Sequence, residues 1–293
     1  MSKIIPYINR LQDELHLIEK QMLELLDVST IKEHIDDPRS EFIIIGMPPY
    51  YWGDTDEKQK RLQIQLLKTY STWFEHFRLL FSEAPNEIEQ KIKNTHKFIE
   101  SWIEKESTWD IPPTIQEAKL QFQEEIQTYY KLIRLLDTSK ENRWILIPDT
   151  NALIFAPDVS QYYKVAGVVE YTVIIFPTVT QELDGLKVNH RDAQFRDKVK
   201  SVIRRLKGLR QQGTLLKGVT VNKTITVKME AKEPNFNYTL GWLDPSNNDD
   251  RIIANALEFQ RTYPSDKVVL VTGDINLQNK AELAKLPYAE PPI

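Results

Sequence analysis

The chain has 293 residues, of which 41% are hydrophobic and 27% are charged, and it carries a net charge of −4. Such a length is typical of two domains that each bury their own core. The sequence contains no Cys, which excludes disulfides, thiolate nucleophiles and Cys-based zinc sites. We find neither a signal peptide nor an apolar run of membrane-spanning length, so we expect a cytoplasmic protein with no membrane partner.

The charged residues are unevenly distributed between the two halves of the chain. Residues 1–140 contain 18 Lys and Arg against 24 Asp and Glu, whereas residues 141–293 contain 20 against 18. Because basic surface attracts polyanions, the second half is the better candidate for contact with nucleic acid.

The first half is predicted to be helical. Apolar residues recur three and four positions apart in four segments, at 4–26, 56–82, 86–104 and 114–137. This period is typical of amphipathic helices that bury one face. We therefore predict an all-α helical bundle domain over residues 1–140, with an unknown role. The apolar seam of its first helix also leaves open a protein partner or a homo-oligomer.

The sequence pattern changes after residue 140. Short apolar runs predict strands at 144–148, 172–176, 224–229 and 267–272, and they alternate with predicted helices at 178–188, 192–211, 249–262 and 276–285. Strands that alternate with helices indicate a parallel sheet covered on both faces. Residues 141–293 are therefore predicted to form an α/β domain, a parallel-sheet α/β/α sandwich. The alternating segment 214–230 predicts a strand or hairpin at the sheet edge.

Two of the predicted strands are followed by a carboxylate. Asp149 comes directly after the first strand, and Asp274 follows the last strand in the sequence Thr272-Gly273-Asp274. Ligands of an open parallel sheet bind outside the carboxyl ends of its strands, so both aspartates are expected at that edge. The alternative for Asp149 is an ordinary turn residue, since Pro148 and Asn151 also favour turns.

Two further acidic positions lie in the first turns of predicted helices. Glu182 is about one turn into the helix that follows the second strand, where the helix dipole alone favours a negative charge. Asp249 and Asp250 begin the helix at 249–262, and one of them could be its N-terminal cap.

Four acidic elements that converge on one sheet edge predict a metal site. Crowded carboxylates repel one another and raise their own pKa values, and a hard divalent cation relieves that repulsion. All-oxygen ligands suit Mg²⁺ or Mn²⁺ better than zinc. Such an ion can activate water and stabilise the leaving oxygen of a phosphodiester. We therefore expect metal-dependent phosphodiester hydrolysis that needs no general-base His.

Four motifs in this order resemble the PIN-domain family of metal-dependent nucleases. They are Pro148-Asp149-Thr150-Asn151, Val179-Thr180-Gln181-Glu182-Leu183-Asp184, Asp250-Arg251-Ile252-Ile253-Ala254 and Thr272-Gly273-Asp274-Ile275-Asn276. The resemblance covers about residues 142–293, whereas residues 1–140 resemble no family that we recognise. We therefore expect a PIN-like nuclease domain over residues 141–293.

The resemblance also implies roles for individual residues. The implied catalytic metal ligands are Asp149, Glu182, Asp250 and Asp274. Asp249 is an additional candidate, either as the residue that starts the helix or as an acid outside the metal's direct ligands. The implied accessory polar residues are Asn151, Thr272 and Asn276.

The resemblance implies an endoribonuclease that acts on single-stranded RNA, with RNA favoured over DNA as the partner. One alternative is a PIN-like scaffold that binds RNA or protein without cutting. Another is a flap-type DNA nuclease, although no glycine-rich helix-hairpin-helix element follows Asp274. All four acids are present, which favours the enzyme.

The helix predicted at 192–211 has a basic face. Its candidates for contact with phosphates are Arg196, Lys200, Arg204, Arg205 and Lys207. The alternative is an ordinary solvated face, because the apolar residues of this helix fall on its other side. Tyr238 and Trp242 precede the acidic helix and are candidates for stacking on RNA bases.

Overall fold

The structure is a computed structural model that describes residues 4–34, 47–138 and 142–292. The chain folds into two compact units, one of Ile8–Asp137 and one of Thr138–Ile293 with Met1–Tyr7. The predicted boundary between residues 140 and 141 lies outside the described residues. Among the described residues, no helix combines the length and the apolar character needed to cross a membrane.

The first unit is built mainly from four long helices. They are α1 (Tyr7–Asp27), α2 (Glu57–Leu80), α3 (Asn86–Glu104) and α4 (Ile115–Leu135). The predicted helical region is thus confirmed, because each helix keeps the apolar period seen in the sequence. A short antiparallel pair, β1 (Ile31–Glu33) and β2 (Tyr50–Trp52), was not predicted. Strands of three residues are too short to show a period.

The core of this helical unit is aromatic. The buried Trp73 ring lies 4.8 Å from Phe77 and 5.2 Å from Tyr129. Its indole N–H donates to the carbonyl of Leu11 at 2.9 Å, and the hydroxyls of Tyr70 and Tyr129 are 3.0 Å apart. Large aromatic area is therefore buried with its polar tips hydrogen-bonded, which stabilises the bundle.

The second unit contains a six-stranded sheet. Its strands are β3 (Trp144–Pro148), β4 (Tyr171–Ile175), β5 (Val219–Val221), β6 (Ile225–Met229), β7 (Lys267–Val271) and β8 (Tyr288–Ala289). The spatial order is β5-β6-β4-β3-β7-β8, and all neighbours are parallel except the β5–β6 pair. The predicted parallel sheet is confirmed, and the alternating segment forms an antiparallel hairpin at one edge.

Six helices accompany the sheet. They are α5 (Thr150–Phe155), α6 (Tyr163–Ala166), α7 (Pro177–Asn189), α8 (Ala193–Gln212), α9 (Asn248–Thr262) and α10 (Ile275–Leu283). The four longer helices match their predictions, and the α/β class is confirmed. The sequence analysis missed α5 and α6, because four to six residues span less than two turns and carry little periodic signal.

The register between β3 and β7 shows which residues meet at the carboxyl edge of the sheet. Leu146 in β3 and Val269 in β7 are fully buried and adjacent in register. Pro148 and Val271, the last residues of β3 and β7, are also paired. Because these two parallel strands end side by side, the residues that follow them come together at the carboxyl edge of the sheet.

Candidate active site

Asp149 is the N-terminal cap of α5 and is only 4% exposed. One carboxylate oxygen accepts the Ala152 N–H at 2.6 Å, and the other accepts the Thr272 hydroxyl. Burial raises the pKa of Asp149, with further increases from the charges of Asp274 and Glu182, although its two hydrogen bonds oppose the shift. Asp149 therefore caps a helix and also belongs to a group of mutually repelling carboxylates.

Asp274 has the corresponding place after β7. It caps α10 by accepting the N–H groups of Asn276 and Leu277 at 2.8 and 3.2 Å. Thr272 is fully buried between the two aspartates: its hydroxyl donates to Asp149 and accepts the Asp274 N–H at 3.0 Å. This hydroxyl therefore links the two acids that end neighbouring strands.

Glu182 lies on α7 and joins the starts of two other helices. One of its carboxylate oxygens accepts the Thr150 hydroxyl, and the other accepts the Asn248 side-chain amide at 2.7 Å. Thr150 and Asn248 were not predicted as residues of the candidate site. In the sequence, Thr150 is marked only by its position next to Asp149, and Asn248 only by its position in the polar loop before Asp249.

The paired acids of α9 point to different neighbours. Asn247 caps this helix by accepting the Asp250 N–H at 3.3 Å, so neither acid is the cap. The Asp249 carboxylate accepts the Asn276 side-chain amide at 3.2 Å, which places it next to the Asp274 turn. Asp249, which was only an additional candidate in the sequence, is therefore linked through Asn276 to Asp274.

Asp250 is buried and already has a cationic partner. Its Oδ1 lies 2.7 Å from Nζ of Lys280 on α10, and its Oδ2 accepts the Asp244 N–H at 3.0 Å. Lys280 was not predicted as a site residue, because only the packing of α10 on α9 brings its side chain to Asp250. The predicted fourth acid thus has a basic residue directly beside it.

The predicted acids therefore do not all belong to one group, because Asp250 pairs with Lys280. Asp149 is coupled electrostatically to Glu182 and Asp274, and hydrogen bonds extend this group to Asp249. Within the described residues, exposed Asn151 in the first turn of α5 does not join this network.

The donor atoms suit a hard divalent cation, although the coordination is not preformed. Among residues 4–34, 47–138 and 142–292, no three acidic or His side chains form a group that could hold a metal ion. The Thr272 and Thr150 hydroxyls bind the Asp149 and Glu182 carboxylates. The oxygen-only donor set and the repulsion at Asp149 nevertheless fit Mg²⁺ or Mn²⁺.

The predicted basic residues of α8 divide between two flanks of the helix. At about 100° per residue, Arg196, Lys200, Arg204 and Lys207 fall within about 80° of one another. Arg205 lies about 180° from Arg196, on the other flank. Arg196 also donates to the carbonyls of His190 and Arg191 at 2.5 and 3.0 Å, which holds the preceding loop. The five cations therefore do not form one surface.

The Arg205 flank of α8 lies beside the segment that follows Asp149. Lys198 is on this flank, and its Nζ is 5.9 Å from the centroid of the Phe155 ring, which is 67% exposed. The Ser160 hydroxyl and, less strongly, the Arg205 guanidinium lower the pKa of Asp158. Phe155 was not predicted as a site residue because α5 is too short to predict, and the contact between Lys198 and Phe155 depends on how α5 and α8 pack.

The two predicted stacking candidates are both exposed. Tyr238 ends a short 3₁₀ turn at Phe236–Tyr238, and the Arg261 guanidinium lies 5.8 Å from its ring centroid. Trp242 lies in the loop between that turn and α9. Exposed rings of this kind can stack on unpaired bases.

Comparison with known families agrees with the fold of the second unit. Residues 146–290 match the family model described as PIN domain. Residues 146–290 thus belong to the PIN-domain family, which confirms the predicted resemblance. The family is nuclease-like and generally dependent on divalent metal. The comparison with curated proteins gave no match.

Proposed function

We propose that this PIN domain is an endoribonuclease that hydrolyses phosphodiester bonds in single-stranded RNA with Mg²⁺ or Mn²⁺. The observation that carries the proposal is the state of Asp149, a buried carboxylate at a strand end whose pKa is raised by burial and by Asp274 and Glu182. A bound divalent cation would offset the repulsion among these carboxylates, and perturbed pKa values of this kind are typical of functional sites.

Each acid has a proposed role. Asp149, Glu182 and Asp274 would hold the cation, which when bound supplies an activated water and charge stabilisation at the cleaved phosphate. The Thr272 hydroxyl orients Asp149, and the Thr150 hydroxyl orients Glu182. Partners of this kind fix the direction of a ligand before it binds metal. Asp250 and Asp249 complete the proposed acidic edge.

The substrate would be held by cations and exposed rings. Single strands are bound where a positive groove tracks the phosphates and aromatic rings stack on bases. The proposed phosphate contacts are the exposed cations of α8, with Phe155, Tyr238 and Trp242 as candidate rings. Among them, Lys198 and Phe155 lie side by side, and α5 runs from Asp149 to Phe155. RNA rather than DNA remains part of the proposal.

Labelled nucleic acids test the proposal directly. Linear and circular single-stranded RNA, and the matching DNA, are incubated with Mn²⁺, with Mg²⁺ and with chelator. We expect metal-dependent cutting of linear and circular RNA, since a circle can be opened only internally. Asp149→Asn keeps the size of the side chain and should lower the rate by at least about 100-fold, because even partners of metal ligands are worth 10–100-fold. Metal-independent cutting, or full activity of the variant, would refute the proposal.

A scaffold that binds RNA without cutting is the second candidate. It is favoured by the absence, among the described residues, of three acids already grouped for metal, and by the cation beside Asp250. In that case the protein binds single-stranded RNA equally well with metal or chelator. Asp149→Asn would then leave binding unchanged and no substrate would be cut.

We further propose a cytoplasmic location, and a protein partner or second copy for the helical unit. Its exposed apolar side chains include Ile64 and Trp109, which are 71% and 66% accessible. Light scattering of the purified chain tests self-association, and fluorescence microscopy of a tagged chain tests the location. A monomer at all concentrations would argue against the second copy.

A further inference from the structure

Lys280 is the basic residue inside the acidic edge. It projects from α10, the helix that Asp274 caps, and its side chain is 20% exposed. Its Nζ lies 2.7 Å from Asp250 Oδ1 and 3.7 Å from Asp249 Oδ2, and it donates to Asn247 at 3.3 Å. One ammonium group therefore meets both acids of α9 and the residue that caps that helix.

The Asp250 carboxylate has both of its oxygens engaged by the protein. Oδ1 faces the Lys280 ammonium, and Oδ2 accepts the backbone N–H of Asp244. The Asp250 side chain is only 8% exposed. A buried carboxylate is tolerated when an opposite charge and hydrogen bonds offset its desolvation. Asp250 has the opposite charge at Oδ1, which accepts no hydrogen bond from the described residues, and a backbone hydrogen bond at Oδ2.

The other acids of the edge lack such a partner. Within the described residues, Asp149, Glu182 and Asp274 form no ion pair with Lys, Arg or His; hydroxyl, amide and backbone N–H groups bind them instead. Their negative charge is therefore uncompensated, whereas that of Asp250 is compensated. An external cation would therefore be attracted to Asp149, Glu182 and Asp274 more than to Asp250.

We propose that Lys280 is the built-in counter-charge of Asp250, so that the site takes one divalent cation, at Asp149, Glu182 and Asp274, and not a second at the start of α9. Lys280 is thus a residue that determines how many metal ions the site accepts. This inference rests on the proposed metal-dependent function. The Lys280 ammonium is covalently attached and cannot dissociate, so it continues to pair with Asp250 at the start of α9 when the cation leaves.

Mn²⁺ binding to the full chain tests the proposal. Titration calorimetry gives the number of ions bound, and thermal unfolding with and without Mn²⁺ gives an independent readout. We expect one ion for the wild type and for Lys280→Arg. Lys280→Met, which removes the charge but keeps the length, should bind a second ion. Its melting temperature should be lower than that of the wild type without metal and should rise more when Mn²⁺ is added.

A double variant covers the case in which Lys280→Met does not fold. Lys280→Met with Asp250→Asn removes both charges and should fold, bind one ion and retain wild-type Mn²⁺ affinity within about threefold. Failure of this variant to bind Mn²⁺ would make Asp250 a metal ligand and overturn the proposal. Two ions on the wild type, or one ion and an unchanged melting shift for Lys280→Met, would also overturn it.

The outcomes separate this inference from the proposed function. No Mn²⁺ binding by the wild type refutes both. One ion on the wild type with metal-dependent RNA cleavage, but no difference for Lys280→Met, refutes only the role of Lys280.

Discussion

The two units of the chain treat buried polar groups in opposite ways. In the helical unit, the Trp73 indole and the Tyr70 and Tyr129 hydroxyls are neutral and hydrogen-bonded within the aromatic core. In the PIN domain, Asp149 and its neighbouring acids are brought together at the carboxyl edge of the sheet. The first arrangement contributes to stability, whereas the second retains repulsion that a stability-optimised core would avoid.

The pKa values express this contrast. Burial raises the pKa of the Tyr129 phenol, but a phenol is already neutral at physiological pH, so the shift costs no stability there. Burial also raises the pKa of Asp149, and here the shift opposes the charged form that a metal ligand needs. Burial is therefore harmless at Tyr129 and unfavourable for the charged form of Asp149, and the unfavourable case lies at the proposed metal site.

The largest expected effect is in the aromatic core. Trp73→Ala should destabilise the helical unit by about 3–5 kcal/mol, because it leaves a large cavity and an unpaired carbonyl at Leu11. The matched control is Trp109→Ala, since Trp109 is exposed and should change stability by less than about 0.5 kcal/mol. Urea unfolding followed by circular dichroism measures both. Equal effects of the two substitutions would contradict the assignment of Trp73 to the core.

The next effect separates the paired acids of α9. Asp250→Ala should destabilise the PIN domain by about 1–3 kcal/mol, because it strips partners from Lys280 and the Asp244 N–H. It should also lower RNA cleavage more than Asp249→Ala does, since a released ammonium group beside the site competes with the metal. Thermal unfolding and cleavage rates are measured for both variants. Comparable losses, or a larger loss for Asp249→Ala, would reverse the assignment.

Much of the fold was predictable because its signals are local. The run at 144–148 and the helix at 86–104 match β3 and α3 at both ends, since each is bounded by polar or helix-starting residues. Thr272 was already implied by its strand-end motif. The edge that gathers the acids follows from parallel strands, whose carboxyl ends lie together.

What remained hidden depends on packing between distant segments. Lys280 carries no signal in its own sequence, because its role arises where α10 meets α9. The Thr150–Glu182 hydrogen bond likewise joins residues 32 positions apart. The division of Arg204 and Arg205 between two flanks, by contrast, was available from helical geometry alone.

A smaller effect is expected from the two flanks of α8. Lys198→Gln with Arg205→Gln removes one charge beside Phe155 and one that acts on Asp158. Lys200→Gln with Arg204→Gln removes two charges from the other flank of α8. We expect the first pair to weaken RNA binding and to reduce the salt slope by about 1.4, or about 0.7 per lost phosphate contact. The second pair is the matched control and should change the slope less. Binding titrations at several salt concentrations decide between them.

If the Lys200 and Arg204 pair reduces the salt slope more, the RNA strand instead lies along the flank of α8 that carries Arg196, Lys200, Arg204 and Lys207. Unchanged slopes for both pairs would instead make α8 an ordinary solvated helix. Cleavage at saturating RNA should be similar in both variants, because these side chains would hold the strand and would not bind the metal.

The smallest expected effect is a gain in stability when Asp149 is changed to Asn without metal. Because the pKa of Asp149 is raised in the folded state, folding favours its protonated form. The wild type therefore loses stability as pH rises from below the ordinary Asp value of 3.8 through the raised pKa, and the full loss is present only above that raised pKa. Asn has no such proton to release, so the variant should be more stable at about pH 7 by about 0.5–2 kcal/mol.

This gain should shrink as the pH falls towards the ordinary Asp value, because the wild-type carboxyl then becomes neutral as well. Thermal unfolding of both proteins from about pH 7 to about pH 3.5 in chelator measures the difference, and effects shared by both chains cancel. Adding Mn²⁺ near neutral pH should reverse the order, since only the wild type keeps the carboxylate for the cation. A difference that stays constant across this pH range would show that Asp149 does not carry the electrostatic cost of the site.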